Sequence, residues 1–122
     1  MIGYVTVGTN DLEKAGKFYD ALFAELGAKR QMENERLVGW GTAEDQPLVL
    51  AIKPQDGSKA TVGNGVMVAV AAPDTATVDR VHAKALSLGG ADEGAPGSRG
   101  EGFYGGYFRD LDGNKFVAFC SG

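Results

Sequence analysis

The sequence predicts an α+β fold made of two tandem βαβββ modules, which would form a curved mixed sheet around a cleft. The first observation is an internal repeat, because Tyr4-Val5-Thr6-Val7 returns 63 residues later as Met67-Val68-Ala69-Val70. The second is that each copy passes through an aspartate, Asp11 or Asp74, into an amphipathic stretch that ends at glycine. Two copies of one supersecondary unit usually build a pseudo-symmetric cleft, so function should depend on the side chains that face it.

The first module begins with the alternating, β-branched segment Ile2 to Val7, which predicts a strand. Asn10 is the expected N-cap of the next helix, and Glu13, three residues on, completes the spacing of a capping box. The helix is predicted from one apolar stripe and ends at Gly27; the stripe is Leu12, Ala15, Phe18, Tyr19, Leu22, Phe23 and Leu26.

Three strands should complete this module, at Lys29 to Met32, Leu37 to Trp40 and Pro47 to Ile52. We therefore assign residues 1–53 to module one. The Gly/Ser/Lys-rich segment 54–64 is expected to join the modules, since it is too short for a disordered linker. Residues 65–122 form module two, and the whole chain is predicted to be a single domain.

Module two opens with a predicted strand from Gly65 to Ala71. Pro73 and Asp74 then begin a helix that ends at Gly89-Gly90. Residues 91–102 are predicted to be a glycine-dense loop with at most a short strand near Asp92. The chain should end in a hairpin, with strands at 104–109 and 115–120 joined by a tight turn at 110–114.

Composition limits the classes of function. The formal net charge is −4, from 12 basic and 16 acidic side chains, so the chain has no electrostatic reason to bind nucleic acid or an anionic membrane. No apolar run approaches the ~20 residues that span a bilayer. The N-terminal residues show no basic segment followed by an apolar stretch, so a cytoplasmic protein is the expectation. A single cysteine excludes an intrachain disulfide.

Two regions of the sequence resemble the vicinal oxygen chelate superfamily, which includes glyoxalase I, extradiol dioxygenases and the bleomycin and fosfomycin resistance proteins. The first is the opening strand with Asn10-Asp11-Leu12-Glu13, Phe18-Tyr19 and Leu26-Gly27. The second runs from Gly94-Ala95-Pro96-Gly97 through 107–115, Tyr-Phe-Arg-Asp-Leu-Asp-Gly-Asn-Lys, where only Leu111 departs from the usual proline. The resemblance covers essentially the whole chain and is strongest to small bacterial glyoxalase-like proteins.

The resemblance implies a divalent metal held by the first and last strands of each module, commonly by His or Gln and by Glu. Carried over by residue, these positions are Tyr4 and Met67 on the first strands and Val49 and Val117 on the last. A phenol and a thioether do not make a useful site for Mn, Ni, Zn or Fe. We therefore predict no metal site and no cofactor, and a shift of the alignment by a residue or two adds no Asp, Glu or His.

Without a metal, the predicted cleft is apolar, with Tyr4 as its polar group. Its expected ligand-binding residues are Tyr4, Trp40, Val49, Met67, Arg99, Tyr104, Val117 and Phe119. The glycine-rich segment Arg99 to Tyr107 is either a ligand-contacting loop with charged and aromatic groups or a mobile connection. His82, on a helix, is expected to be structural or at a dimer contact, and Cys120 to face the helix layer.

Three functions stay open. The first is a protein that binds a small, partly aromatic or hydrophobic molecule. The second is an enzyme of lyase or isomerase type, similar to lactoylglutathione lyase, with Tyr4, Arg99, Glu101 and Tyr104 as candidate catalytic residues in place of the metal. The third is a scaffold whose cleft is filled by side chains. The resemblance also implies a homodimer.

Overall fold

The computed structural model describes all of residues 1–122 and contains two helices and eight strands. They are, in chain order, β1 (Tyr4–Gly8), α1 (Leu12–Ala24), β2 (Lys29–Glu33), β3 (Leu37–Gly41), β4 (Leu48–Ile52), β5 (Val68–Ala71), α2 (Thr75–Ser87), β6 (Ala91–Ser98), β7 (Phe103–Arg109) and β8 (Lys115–Ser121). The order βαβββ therefore occurs twice, as predicted. Neither helix is long and apolar enough to cross a membrane.

The chain divides into two compact units, Met1–Val62 and Gly63–Gly122. In the first, the strand order is β1-β4-β3-β2, with β1 parallel to β4 and the other pairs antiparallel. In the second, the order β5-β8-β7-β6 repeats the same arrangement, with β5 parallel to β8. The prediction of an α+β fold with mixed sheets is thus confirmed, as two four-stranded sheets.

Each sheet is covered by the helix of its own unit. In the first unit, α1 buries Phe18, Tyr19 and Leu22 and packs against β2, β3 and β4. In the second, α2 buries Val78, Val81 and Ala85 and packs against β6, β7 and β8. The amphipathic stripes read from the sequence are therefore the faces that seal the two cores.

The start of α1 differs from the expectation. The N-cap is Asp11, whose side chain accepts a 3.1 Å hydrogen bond from the backbone of Lys14. Asn10 instead bonds both backbone groups of Ala60, through its Oδ1 at 2.7 Å and its Nδ2 at 3.3 Å. Asn10 therefore holds the segment after β4 against the start of α1, and the next residue, Asp11, caps the helix.

Residues 91–102 were predicted to be a glycine-dense loop with a short strand possible near Asp92; the strand is present and is longer than predicted, since it covers residues 91–98. This strand is β6, which is antiparallel to β7 and has irregular register near Asp92, Gly94 and Gly97. Gly94 has a φ of 149°, which favours glycine. The bulges and glycines hide the alternation by which strands are usually recognised. The other predicted elements are present, with ends displaced by up to three residues.

Candidate functional site

Each sheet has a helix face, which packs against the helix of its unit, and a helix-free face on the other side. Because side chains alternate along a strand, register assigns every residue to one of the two. In the first sheet, a Cβ at Gly39 would lie on the helix-free face. It would be 3.1 Å from the Leu50 side chain and 2.9 Å from the Met32 side chain, which lie on the same face. In the second sheet, a Cβ at Gly105 would lie on the helix-free face in the same way, beside Phe103 and Val117.

Trp40 does not lie where the sequence suggested. Its side chain is 1% exposed and contacts the Tyr19 and Phe23 rings of α1, with centroids 5.1 and 6.0 Å away. The indole Nε1 donates a 2.8 Å hydrogen bond to Asp20, also on α1. Trp40 is therefore on the helix face and belongs to the core of the first unit.

Val49 shares that face, because it stands opposite Trp40 in the antiparallel ladder. The first-unit residue equivalent to Val117 is Leu50 rather than Val49. Thr6 and Ala69 are equivalent in the repeat, and Thr6 pairs with Leu50 whereas Ala69 pairs with Val117. The connection that precedes the last strand is one residue shorter in the second unit, and this shifts the correspondence by one position. Leu50 and Val117 are both buried, on the helix-free faces of their sheets.

Tyr4 and Met67 lie on or next to an edge strand of their sheets. Tyr4 lies on β1 with 61% of its surface exposed, on the helix-free face. Met67 comes immediately before β5 and is 43% exposed. Both are thus accessible in the chain, as a ligand contact would require.

The corrected positions do not supply a metal site. The first and last strands of both units contain no Asp, Glu or His, and Leu50 adds another aliphatic group to the set. No group of three or more His, Cys, Asp or Glu side chains in the structure is arranged to hold a metal ion. The donor set therefore does not fit the divalent metal that the resemblance implies.

The helix-free face of the second sheet carries an aromatic pair. The rings of Phe103 and Phe119 stack with centroids 5.4 Å apart and planes inclined by 7°. Both rings are half-buried, and Phe103 also leans over Gly105, which pairs with Phe119. They form a partly exposed aromatic patch that another aromatic ring could contact.

Farther along the same face, Tyr107 lies between two cations, and we call these three residues the Tyr107 platform. The guanidinium carbon of Arg99 is 5.4 Å from the centroid of the Tyr107 ring, and the Nζ of Lys115 is 5.7 Å from it. Lys115 shares the face of Val117 and Phe119 on β8. Arg109, on the same face of β7, is neutralised by Glu93 at 3.0 Å.

Tyr104 points the other way. Its hydroxyl donates a 2.6 Å hydrogen bond to the Asp79 carboxylate on α2, so the side chain lies on the helix face. This hydrogen bond to Asp79 holds the pKa of the Tyr104 hydroxyl above its usual value. A phenol with a raised pKa is a poorer proton donor, and this one is already engaged with the helix.

Glu101 lies at the tip of the tight turn between β6 and β7. The turn is closed by hydrogen bonds from Arg99 N to Phe103 O and from Phe103 N to Gly100 O, at 2.7 and 3.0 Å. Glu101 has a φ of 50°, in the left-handed region, and its side chain is exposed. Arg99 turns back to donate to the Ala95 carbonyl at 2.6 Å, so Glu101 and Arg99 do not form an ion pair.

His82 is buried on α2, with its Nε2 3.1 Å from both an Asp92 carboxylate oxygen and the Tyr107 carbonyl oxygen. Two acceptors require this nitrogen to carry a proton, and the ring then joins α2 to β6 and β7. The expectation of a structural histidine is supported by these contacts. Cys120 is buried on the helix face, as its parity with Phe116 predicts.

A shallow depression of about 290 Å³ lies beside the start of α1 in the first unit. It is lined by Thr9 and Asn10 and by residues after β4, including Lys53, Ser58 and Lys59. None of the side chains predicted to bind a ligand lines it.

Lys115 was not among the residues predicted to bind a ligand, and Phe103 and Tyr107 were included only as part of the glycine-rich segment Arg99 to Tyr107. The signal was available in part, since period-two alternation from Val117 puts Lys115 and Phe119 on one face. Tyr107 could not be chosen over Tyr104 without the pairing of β7, because both stand in one glycine-rich run.

Several solved structures are similar to this chain. A glyoxalase/bleomycin resistance protein from Albidiferax ferrireducens has 36% identity and a TM-score of 0.91, with 98% of each chain covered. A hypothetical protein from S. aureus has 29% identity and a TM-score of 0.77, covering 98% of this chain and 92% of its own. A lactoylglutathione lyase from Agrobacterium tumefaciens shares the fold, with 23% identity, a TM-score of 0.71 and coverage of 98% and 92%.

No curated protein matches the sequence. The family model that matches, over residues 1–118, describes the Glyoxalase/Bleomycin resistance protein/Dioxygenase superfamily. Together with the repeated βαβββ order, this match covers both units. The chain belongs to the Glyoxalase/Bleomycin resistance protein/Dioxygenase superfamily.

Proposed function

We propose that the protein binds a small, partly aromatic or hydrophobic molecule without using a metal. The observation that carries this proposal is the stacked pair Phe103 and Phe119, a partly exposed aromatic patch on the helix-free face of the second sheet. Tyr107 extends the aromatic surface along the same strand. Aromatic walls with a few polar groups are typical of sites that bind small molecules.

The alternative of a lyase-like or isomerase-like enzyme has less support. It assigns acid–base chemistry to Tyr4, Arg99, Glu101 and Tyr104, and the hydroxyl of Tyr104 is committed to Asp79 on the helix face. Glu101 is exposed at a turn and does not contact Arg99. A general acid and base must both reach the reacting atoms, and these contacts favour binding over catalysis.

The proposal is tested by following the backbone amides of ¹⁵N-labelled protein by NMR during titration with 2-naphthamide, a neutral aromatic probe. We expect saturable shifts at Phe103, Gly105 and Phe119. Phe119→Ala should weaken the affinity about fivefold, since stacking on an aromatic side chain contributes roughly 1 kcal/mol.

Tyr104→Phe is the matched control, because it changes an aromatic side chain of the same strand on the opposite face. Its affinity for the probe should equal that of the wild type. Shifts confined to other surfaces, or an equal loss of affinity in both variants, would contradict the proposed function.

We also propose that the protein acts in the cytoplasm as a homodimer. Apolar residues are exposed at or beside the outer strands of both units: Ile2 and Tyr4 near β1, and Val66 and Met67 near β5. Exposed apolar residues at an unpaired sheet edge favour association with another chain. Sedimentation equilibrium should give twice the chain mass, and Tyr4→Lys should shift it toward the monomer; a monomeric wild type would refute the dimer.

A further inference from the structure

We propose that the Tyr107 platform is an anion subsite, which takes the carboxylate of a small aromatic acid whose ring contacts Phe103 and Phe119. This inference rests on the proposed function and narrows its ligand class from aromatic molecules to aromatic carboxylates. Three groups on one face of one sheet carry it: Arg99, Tyr107 and Lys115.

The two cations approach one ring from the strands on either side of it. Lys115 begins β8, which pairs with β7 on one side, and Arg99 follows β6, which pairs with β7 on the other. Each positive charge lies within 6 Å of the Tyr107 centroid, at 5.4 and 5.7 Å. The electron-rich faces of an aromatic ring attract cations, and this attraction orders two flexible side chains beside Tyr107.

Their charges are not neutralised by a carboxylate of the protein. Two other arginines are paired with carboxylates: Arg30 with Asp20 and Glu33 at 2.8 Å, and Arg109 with Glu93 at 3.0 Å. Arg99 bonds only a neutral carbonyl, that of Ala95. Two positive charges without a carboxylate partner attract an anion to this face, and the anion could accept a charge-assisted hydrogen bond from either side chain.

Two positive charges are close to one ring in a chain whose formal net charge is −4. A protein of negative net charge repels anions at long range, so an anion must be recognised through short contacts such as these. Arginine and lysine donors together suit a carboxylate, with one side chain offering a planar fork and the other a point charge.

The distance between the Phe103–Phe119 pair and the Tyr107 platform suits a small aromatic acid that contacts both. Gly105, over which Phe103 leans, precedes Tyr107 by two residues on β7, so about 7 Å of strand separates them. Gly105 adds no side chain between the two surfaces. A ring on Phe103 and Phe119 would therefore direct a carboxylate attached to it toward Arg99 and Lys115.

The test compares 2-naphthoate with 2-naphthamide, which have the same ring and differ in charge, by isothermal titration calorimetry in low salt. We expect wild-type protein to bind the carboxylate about tenfold more tightly. Arg99→Gln and Lys115→Gln should each reduce the naphthoate affinity about three- to tenfold and leave the naphthamide affinity unchanged. Raising the salt concentration to 0.5 M should reduce the difference between the probes.

Lys84→Gln is the matched control, because it removes one positive charge from α2. Equal affinity of the wild type for the two probes would overturn the anion subsite and leave the proposed binding of aromatic molecules standing. An equal loss of naphthoate affinity in Lys84→Gln and Lys115→Gln would also overturn it, since only net charge would then matter. If neither probe binds, the proposed function and the anion subsite both fail.

Discussion

The indole Nε1 of Trp40 donates a 2.8 Å hydrogen bond to the Asp20 carboxylate and joins the third strand of the first sheet to its helix. Arg30 completes the contact, since its guanidinium bonds the same carboxylate at 2.8 and 2.9 Å and lies 5.9 Å from the Trp40 ring. The largest buried side chain of the first unit is therefore held by an aromatic cluster on one side and by a charged network at its edge.

Replacing Trp40 should damage stability rather than ligand binding. Trp40→Ala removes a fully buried ring and should lower the free energy of unfolding by about 3–5 kcal/mol. Trp40→Phe keeps most of the packing and loses the hydrogen bond to Asp20, so a decrease of about 1–2 kcal/mol is expected. Urea unfolding measures both changes. A Trp40→Phe variant with unchanged stability and weaker binding of 2-naphthamide would show that the ring serves the ligand instead.

Acid should weaken the Asp20 network. The hydrogen bond from Arg30 is the largest cause that holds the pKa of Asp20 below its usual value. A depressed native pKa gives stability that is present above the unfolded pKa, near 3.9, and lost as the pH falls through the lower native pKa. The Asp20 side chain is 46% exposed, so solvent screening limits this contribution to about 1 kcal/mol or less.

The corresponding variant is Asp20→Asn, compared with wild type by urea unfolding at pH 7 and at pH 3. The variant should be less stable at pH 7, and the gap should narrow at pH 3, which lies below the unfolded pKa, so that protonation of the unfolded chain offsets part of the advantage of the lowered native pKa. Glu44→Gln, on an exposed residue, is the control and should behave like wild type at both pH values. A gap of constant size would show that the charge of Asp20 is not the source of the stability.

The position of Trp40 also illustrates what the sequence could and could not predict. Helices, strands and the repeat follow from local patterns, and the structure confirms them. The face on which a strand residue lies depends on pairing with strands distant in the chain. The connection before β8 is one residue shorter than the connection before β4, so the residue equivalent to Val117 is Leu50 and not Val49. A shift of one residue reverses the face of the sheet to which a residue is assigned.

The candidate site shows the same limit. Tyr104 and Tyr107 are three residues apart in one glycine-rich run, and only the register of β7 sends the first to Asp79 and the second to Arg99 and Lys115. The chemistry of the metal positions depends less on register, because the first and last strands of both units lack Asp, Glu and His whichever face is chosen.

Metal removal should therefore leave the protein unchanged. Protein purified without a tag is expected to contain far less than one equivalent of Zn, Ni, Mn or Fe by mass spectrometry, because the first and last strands of each unit contain no Asp, Glu or His and no group of three such side chains could hold a metal ion. Dialysis against EDTA should leave the melting temperature and the affinity for 2-naphthamide as they were. Stoichiometric metal, or a loss of stability that added metal restores, would contradict the metal-free proposal.

Gly90, between α2 and β6, should not tolerate a side chain. A Cβ there would lie 2.6 Å from the carbonyl oxygen of Arg109 and 2.8 Å from that of Ala85, and backbone atoms cannot move aside as a flexible side chain can. Gly90→Ala should therefore lower the free energy of unfolding by about 1–3 kcal/mol, the usual range for overpacking. Gly3→Ala is the control, since nothing lies within 4 Å of its Cβ position. Urea unfolding compares the two, and equal stability of the variants would mean that the approach of α2 to β7 at Gly90 is not as close as described.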